Sequence, residues 1–199
     1  DPGDSAPVLS YCHDNQLTLA AILITHHHWD HTGGIDQLLS EFSSIPVYGP
    51  KNQKIKQITV PVSENETISL AALGIDFTVL EVPGHTLDYI AYYGNTGLFC
   101  GDTLFSAGCG RLFEGSPQQM QQSLAKLTAL PAKTTVYCTH EYTLANIAFA
   151  EAVEPNNQAL MDFKNWARQQ RNNNIPTLPT NIQRELQVNP FLRCDSEEL

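Results

Sequence analysis

The sequence LAAILITHHHWDHTGGIDQLLSEF, residues 19–42, places an unbroken apolar run, a cluster of histidines and an amphipathic segment in direct succession. The apolar run, residues 19–24, is typical of a strand that is buried on both faces. The amphipathic segment, residues 34–42, carries apolar side chains at helical spacing. This order predicts that the histidines lie at the end of a buried strand, where enzymes commonly build their sites.

The rest of the chain alternates short β-branched or aromatic runs with helical stretches, which predicts a mixed sheet covered by helices, an α/β fold. Helices are predicted at residues 5–16, 34–42, 117–130, 142–153 and 157–172. Strands are predicted at residues 19–24, 46–48, 57–60, 68–70, 77–82, 89–93, 98–101 and 134–138. After residue 172 the chain is rich in Pro and Asn and shows little periodicity.

The composition limits the classes of protein to which the chain can belong. Its 199 residues suit one domain, or one domain with a helical appendage. A net charge of −10 with only 11 Lys and Arg disfavours a nucleic-acid partner, and no apolar run approaches the ~20 residues that span a bilayer. Five cysteines without a C-x-x-C pair favour reduced thiols over a disulfide framework. We expect a cytoplasmic monomer that binds neither nucleic acid nor membrane.

The histidine cluster has the spacing H-x-H-x-D-H. Residues two apart on an extended segment point the same way, so His26 and His28 can converge while His27 faces away. Asp30 and His31 follow after a turn, where we expect Thr-Gly-Gly to let the backbone bend sharply. Imidazole nitrogens and carboxylate oxygens suit zinc, iron or manganese. The cluster therefore predicts a metal site rather than a solvated histidine-rich turn.

Three further candidate ligands, His85, Asp102 and His140, each follow an apolar strand. Together with the cluster they make seven potential ligands, whereas one ion needs only four or five. The count predicts two ions, and Asp102 is the natural bridge because a carboxylate can offer one oxygen to each. Taken alone, His85 could instead cap the turn at residues 86–88.

These motifs carry a family resemblance. THHHWDH, PGHT, GDTLF and His140 resemble the metallo-β-lactamase superfamily, and GCGRLFEG (108–115), HEYT (140–143) and NPFLR (189–193) are similar to glyoxalase II, the hydroxyacylglutathione hydrolases. DPGD (1–4) also matches a loop of that family. The resemblance covers essentially the whole chain. It implies an αββα sandwich with the active site at one edge between two sheets.

The same resemblance implies how the chain is divided and how the ligands are paired. Residues 1–140 would form the metal-binding domain, and residues 141–199 a helical part that contributes to the substrate site. One ion would be held by His26, His28 and His85, the other by Asp30, His31 and His140, with Asp102 shared. We expect zinc, with iron or manganese left open by the ligand types.

The reaction that the resemblance implies is hydrolysis of S-D-lactoylglutathione to D-lactate and glutathione, the last step of methylglyoxal detoxification. A hydroxide bridging the two ions would attack the thioester carbonyl, with Asp30 and Asp102 as the catalytic carboxylates. No protein nucleophile is needed, and we expect a structural role for Cys109.

Three residues are expected to bind the substrate. Arg111 would attract the anionic glutathione, although it could instead be one more surface cation. Phe113 stands where many relatives have Tyr, so one hydroxyl contact is expected to be missing, whereas Tyr142 keeps its phenol beside the last ligand.

The chain also departs from the family pattern. The family normally begins with a strand hairpin upstream of DPGD and ends with a helical segment bearing a basic pair, and neither is present. We expect either a fragment of a longer product or a truncated enzyme with weakened glutathione affinity. The alternative functions are a mononuclear iron persulfide dioxygenase, a β-lactamase and a truncated metal-binding scaffold with little activity. GCGRLFEG and HEYT favour the thioesterase over the other two enzymes.

Overall fold

The computed structural model describes residues 1–194 and divides into two compact units. The first unit is formed by Asp1–Glu81 and Asp88–Asn95, the second by Val82–Leu87 and Thr96–Leu199. The last five residues of the predicted C-terminal part lie outside the described residues.

The first unit contains two groups of paired strands and three helices. Its elements are α1 (Ala6–Asp14), β1 (Ile22–Leu23), α2 (Trp29–Thr32), α3 (Ile35–Glu41), β2 (Val47–Pro50), β3 (Val60–Val62), β4 (Thr67–Leu70), β5 (Ile75–Glu81) and β6 (Ile90–Gly94). Strands β1, β2 and β3 pair in parallel, whereas β4, β5 and β6 pair antiparallel.

The core of the first unit fixes the position of β1. Ile22 and Ile24 are buried in one cluster with Ile35 and Leu38, the inward face of α3. The Tyr92 hydroxyl donates to the Ile24 carbonyl (2.6 Å), just before the histidine cluster. Burial raises the pKa of Tyr92, so this donor stays protonated. The chain entering the cluster is therefore held by both packing and a hydrogen bond.

The second unit contains a short sheet, a hairpin and four helices. Its elements are β7 (Gly97–Gly101), β8 (Leu104–Phe105), β9 (Gly108–Cys109), α4 (Pro117–Thr128), β10 (Thr135–Cys138), α5 (Thr143–Val153), α6 (Gln158–Asn172), β11 (Thr180–Asn181), α7 (Ile182–Val188) and a 3₁₀ turn (Pro190–Leu192). Strand β10 pairs in parallel with β7 and antiparallel with β11, and β8 pairs with β9.

Helices α5, α6 and α7 pack around an apolar cluster that includes Ile147, Leu160, Phe163 and Val188. Helix α4 begins as its sequence predicts: Ser116 and Gln119 form a capping box, and Pro117 occupies the first turn. No helix within residues 1–194 is long and apolar enough to cross a membrane.

The structure confirms the five predicted helices and most of the predicted strands, and it adds short elements that were not predicted: α2, β8, β9, β11, α7 and the 3₁₀ turn. Strand β1 covers only Ile22–Leu23, and Ala20 in the same apolar run is exposed, so the run is not a strand buried on both faces throughout. The strand expected at residues 57–60 begins at Val60. Helix α7 was not predicted, because its seven residues are too few to show a helical period.

Candidate metal-binding clusters

Four of the predicted ligands form a first cluster in the first unit: His26, His28, Asp30 and His31. After β1 the chain stays extended as far as His28, so side chains two apart converge as predicted. His26 Nε2 and His28 Nδ1 lie 3.0 Å apart. Two nitrogens bound to one tetrahedral zinc lie about 3.3 Å apart, given Zn–N bonds of about 2.0–2.1 Å. The spacing of this pair therefore fits one ion.

Asp1 orients the histidines of the first cluster. Its carboxylate accepts from the Thr25 amide (2.7 Å) and the Thr25 hydroxyl (2.8 Å). It also accepts from His31 Nδ1 (3.1 Å). Because the Thr25 hydroxyl donates to Asp1, its oxygen is left to accept from His26 Nδ1 (3.0 Å). The His26 and His31 rings thus carry a proton on Nδ1 and present Nε2 to a metal. Histidine ligands in metal sites are commonly oriented in this way, by a hydrogen bond from the ring nitrogen that does not bind the metal.

Asp30 and His31 lie on α2, the single helical turn that follows His28. Asp30 Oδ2 lies 3.7 Å from His31 Nε2. The His31 side chain is buried, whereas that of Asp30 is 41% exposed. Asp30 is therefore the carboxylate of the cluster that solvent reaches.

His27 is directed toward different groups. Its Nδ1 lies 3.4 Å from Asp88 Oδ1, and its Nε2 lies 3.4 Å from Lys54 Nζ. The Asp88 carboxylate also accepts from the Asn52 side chain. These neighbours suit a residue that anchors the histidine segment rather than one that binds a metal.

The glycines beside the first cluster serve close approach. Gly33 and Gly34 form the turn between α2 and α3, as expected, but their φ angles are negative, so the turn itself does not require glycine. Instead, a Cβ at Gly34 would lie 2.7 Å from the Ser5 nitrogen, and one at Gly3 would overlap the Asp30 carbonyl oxygen. The missing side chains let residues 1–4 lie against the α2 turn, which brings Asp1 to His31.

The other three predicted ligands, His85, Asp102 and His140, form a second cluster in the second unit. Asp102 directly follows β7, and His140 follows β10, its parallel neighbour. Parallel strands end at the same edge of a sheet, so the two side chains meet there. Asp102 Oδ2 lies 3.6 Å from His85 Nε2, and its Oδ1 lies 3.3 Å from His140 Nε2. The two oxygens of one carboxylate thus face two different imidazoles.

Two hydrogen bonds to residues that are not candidate ligands fix the side chains of the second cluster. The Thr139 hydroxyl donates to Asp102 Oδ1 (2.5 Å). His85 Nδ1 donates to the Arg111 carbonyl (2.6 Å), which leaves Nε2 as its basic nitrogen. Neither Thr139 nor the Arg111 carbonyl is marked as functional by its position in the sequence.

The motif GCGRLFEG holds the loop that carries His85. Phe113 N donates to the His85 carbonyl (3.2 Å), and Gly115 N donates to the Gly84 carbonyl (3.0 Å). The Glu114 carboxylate accepts from the Leu87 amide (3.0 Å). The motif therefore works through its backbone as well as through any side chain that meets a substrate.

The three predicted substrate residues surround the second cluster. The Arg111 guanidinium lies over the Phe113 ring at 5.3 Å, and that ring meets His85 edge-on at 5.1 Å. The Tyr142 ring stacks on His140 at 4.9 Å, with 17° between the planes. Phe113 and Tyr142 are both about half exposed, so each presents a ring face or edge to solvent.

Two cysteines of the second unit, Cys109 and Cys138, are unsuited to act as nucleophiles. Burial and the neighbouring Cys194 raise the pKa of the Cys109 thiol to about 12. A hydrogen bond with Cys100, together with burial, raises the pKa of Cys138 as well. Both thiols stay protonated at neutral pH, which supports the structural role expected for Cys109.

The donor set as a whole suits a divalent cation. Within each unit, the ligand atoms of neighbouring candidates lie between 3.0 and 3.7 Å apart. Nitrogen and carboxylate donors in such groups are those that zinc, iron and manganese accept.

Comparisons with known proteins cover the whole chain. A profile of the metallo-β-lactamase superfamily matches residues 3–140, and a profile of the hydroxyacylglutathione hydrolase C-terminus matches residues 141–199. The hydroxyacylglutathione hydrolase of Nitrosomonas eutropha is 54% identical over 195 residues, 98% of this chain and 76% of that protein. That of Shewanella pealeana is also 54% identical, over 200 residues, 100% of this chain and 76% of that protein.

A solved structure shows the same fold. The BLEG-1 B3 metallo-β-lactamase superposes with a TM-score of 0.69 at 26% identity, covering 96% of this chain and 86% of that one.

Proposed function

The chain belongs to the hydroxyacylglutathione hydrolase family of the metallo-β-lactamase superfamily, and from this membership we propose how its own residues perform the family's reaction. It has the metallo-β-lactamase fold, so the α/β class that the sequence predicts is confirmed. It is a thioester hydrolase that uses a divalent metal. An identity of 54% to hydroxyacylglutathione hydrolases favours this activity over a persulfide dioxygenase or a β-lactamase.

The centre that we propose holds two divalent ions, with zinc as the metal. The observation that carries this proposal is the placement of Asp102, whose Oδ1 and Oδ2 face His140 and His85 respectively. A carboxylate between two imidazoles, with one oxygen toward each, is suited to bridging two ions.

The assignment of the other ligands follows the family resemblance. One ion would be held by His26, His28 and His85, the other by Asp30, His31 and His140, with Asp102 shared. The 3.0 Å spacing between His26 and His28 supports placing these two on the same ion, as does the nearness of Asp30 to His31 for the other.

Two bound divalent cations supply Lewis-acid chemistry, since they acidify a water molecule and polarise a carbonyl oxygen. The protein's own groups then position the substrate and accept the proton that the attacking water loses. Asp30 is exposed enough to accept a proton from the attacking water, in addition to its role as a ligand. Cys109 does not act as a nucleophile, because its thiol stays protonated.

The substrate that we propose is S-D-lactoylglutathione, which yields D-lactate and glutathione. Arg111 provides a positive charge for a glutathione carboxylate in a chain whose net charge is −10. Tyr142 offers a phenol hydroxyl beside His140. Phe113 offers an apolar ring without a hydroxyl, so its contact with the substrate is by packing alone.

The remaining proposals concern the cellular compartment, the oligomeric state and the division of the chain. We propose a cytoplasmic monomer, because all five cysteines are free thiols, as suits a reducing compartment. We also propose that residues 1–140 hold the metal ions and that residues 141–199 contribute to the substrate site through Tyr142. The chain spans about three quarters of the length of the relatives that it matches.

A hydrolysis assay combined with elemental analysis tests the proposed function. The protein purified with the metal that it acquires on expression is expected to contain about two divalent ions per chain, chiefly zinc, and to hydrolyse S-D-lactoylglutathione. Metal-loaded protein without thioester hydrolysis would show a metal-binding scaffold instead. One iron per chain, with oxygen uptake on glutathione persulfide, would show the dioxygenase.

A further inference from the structure

The turn that carries His140 is tied to a distant segment of the second unit. Both oxygens of the Glu141 carboxylate accept from Thr177: Oε2 from the backbone amide (2.7 Å) and Oε1 from the hydroxyl. The Thr177 hydroxyl also lies 2.6 Å from the Thr143 hydroxyl. Thr143 and Thr177 are each only 1% exposed, so the carboxylate of an exposed residue is engaged with buried partners.

Glu141 stands between two residues of the proposed site. His140 precedes it and Tyr142 follows it, and their rings stack at 4.9 Å. Phe105 meets both rings edge-on, at 5.8 Å from His140 and 5.4 Å from Tyr142. The stack depends on the backbone between the two rings, and the only side chain on that stretch is that of Glu141.

We propose that Glu141 is a positioning residue for the hydrolase reaction. By binding Thr177 through both carboxylate oxygens, it fixes the turn so that the Tyr142 ring stays on the His140 ring. The proposed metal ligand His140 and the proposed substrate-binding phenol of Tyr142 are then held in a fixed position relative to each other. This inference rests on the proposed function, in which His140 binds metal and Tyr142 binds substrate.

The chemistry of the anchor explains why a carboxylate is needed. Thr177 presents an N–H and an O–H to the same side chain, and a carboxylate accepts both without any proton of its own. The same contacts direct the Glu141 charge toward Thr177 rather than toward the ligands. A free carboxylate next to His140 would compete with Asp30 and Asp102 for a cation.

Two substitutions separate anchoring from charge. Glu141→Ala removes both acceptors. Glu141→Gln keeps an amide oxygen for the Thr177 N–H, while its NH₂ donates to the Thr177 hydroxyl, which can still donate to Thr143. Glu151→Ala is the matched control, because Glu151 lies on α5 in the same unit and forms an ion pair with Lys164, at the end of the helix that is away from residues 140–142.

Two readouts follow these variants. The first is the set of His140 ring proton resonances in the metal-free protein, which report the stacked rings without any turnover. The second is the KM of the zinc-loaded enzyme for S-D-lactoylglutathione, measured well below the melting temperature. Glu141→Ala is expected to shift the His140 resonances and to raise KM by about 10-fold or more. Glu141→Gln should restore both toward wild type, and Glu151→Ala should change neither.

Three results would overturn the inference. Unchanged resonances and KM in Glu141→Ala, even with a lower melting temperature, would leave Glu141 a purely structural role. A Glu141→Gln variant as defective as Glu141→Ala would show that the charge matters and the anchor does not. An equal defect in Glu151→Ala would show a general loosening of α5. Absence of hydrolysis by the wild type would contradict the proposed function, while the resonances would still test the position of His140.

Discussion

Three of the candidate ligands, His26, His31 and His85, each bind a protein oxygen through Nδ1. The acceptors differ: a threonine hydroxyl, the Asp1 carboxylate and the Arg111 backbone carbonyl. Each contact fixes the ring and selects the tautomer in which Nε2 has the free lone pair. At the scale of single residues, the readiness of these histidines to bind a metal thus depends on neighbours that are not ligands.

Asp1→Asn tests this dependence with almost no change in shape. Asp1 accepts from the Thr25 amide on one oxygen, and from the Thr25 hydroxyl and His31 on the other. An asparagine has only one oxygen, so its NH₂ must face either the Thr25 amide or the His31 N–H. We expect metal affinity about 10–100-fold weaker, measured by competition with a chelator.

Asp4→Asn is the matched control. Among residues 1–194, the Asp4 carboxylate accepts only from the Ala6 amide (2.9 Å), a bond that an asparagine oxygen can also make. Its metal affinity should equal that of the wild type. Wild-type affinity in Asp1→Asn would show that the carboxylate does not orient His31.

The sequence predicts the candidate ligands but not the groups that orient them. The spacing H-x-H-x-D-H and the strand ends predict which side chains converge, because these are local properties of the chain. The contact of Asp1 with His31 joins residues 30 apart, and that of Thr139 with Asp102 joins residues 37 apart. Such contacts depend on packing that no local pattern records. DPGD and HEYT match family motifs, which was the only signal available for Asp1 and Glu141.

At the scale of elements, the loop of residues 108–115 supports the second cluster by close approach. Gly110 N donates to the Thr103 carbonyl (3.2 Å). A Cβ on Gly110 would overlap the Asp102 carbonyl oxygen and lie 3.1 Å from His85 Nδ1. The glycine is therefore required by the nearness of two candidate ligands and not by its φ angle.

Gly110→Ala is expected to destabilise the protein by more than about 3 kcal/mol, because backbone atoms cannot move away from the new methyl group. Gly74→Ala is the control: Gly74 has φ +64° but no atom within 4 Å of the added Cβ. It should lose only about 1–2 kcal/mol from the left-handed conformation. Denaturant unfolding measures both, and an equal loss would contradict the close-approach explanation.

Helix α7 is held by a buried carboxylate that local sequence patterns do not reveal. Glu185 accepts from the Ala107 amide (2.8 Å), the Asn189 side chain (3.1 Å) and the hydroxyls of Thr180 (2.6 Å) and Ser106 (3.3 Å). Burial raises the pKa of Glu185 above its ordinary value of 4.5, although these hydrogen bonds oppose the shift. The network joins α7 to the β8–β9 hairpin and to β11.

Glu185→Gln should therefore change the pH dependence of stability. With a raised pKa the folded protein binds more protons than the unfolded chain, so this group lowers the free energy of unfolding as pH rises from about 4.5. The glutamine variant lacks this loss and should gain stability relative to wild type over that range. Its NH₂ can face the Thr180 and Ser106 hydroxyls, which can accept.

Glu185→Ala serves as the comparison, since it leaves the buried Ala107 amide without its Glu185 acceptor. It should be less stable than wild type by about 2–4 kcal/mol near pH 4.5. The difference should narrow as pH rises, because the alanine variant has no group at this position to lose a proton. If the free energy of unfolding of the wild type instead rises relative to that of Glu185→Gln as pH rises, the pKa of Glu185 is lowered in the folded state, which would contradict this prediction.

At the scale of the whole molecule, the fold class and most elements could be predicted from the sequence. Periodicity was sufficient where segments were long, as in α4 and α6. It failed for α7, whose seven residues depend on the Asn181 cap and on Glu185. The seven ligand candidates are shared between the two units, four in the first and three in the second. The pairing of ligands into two ions came from the family resemblance, since spacing alone does not determine it.

The metal content of Asp102→Ala tests the central claim most directly. If Asp102 bridges two ions, its loss should lower the metal content from about two to one or fewer per chain, and the hydrolysis rate by ~10²-fold or more. Asp76→Ala, which removes an exposed carboxylate from β5, should keep both ions and full activity. An Asp102→Ala protein that retains two ions and wild-type turnover would contradict the dinuclear assignment.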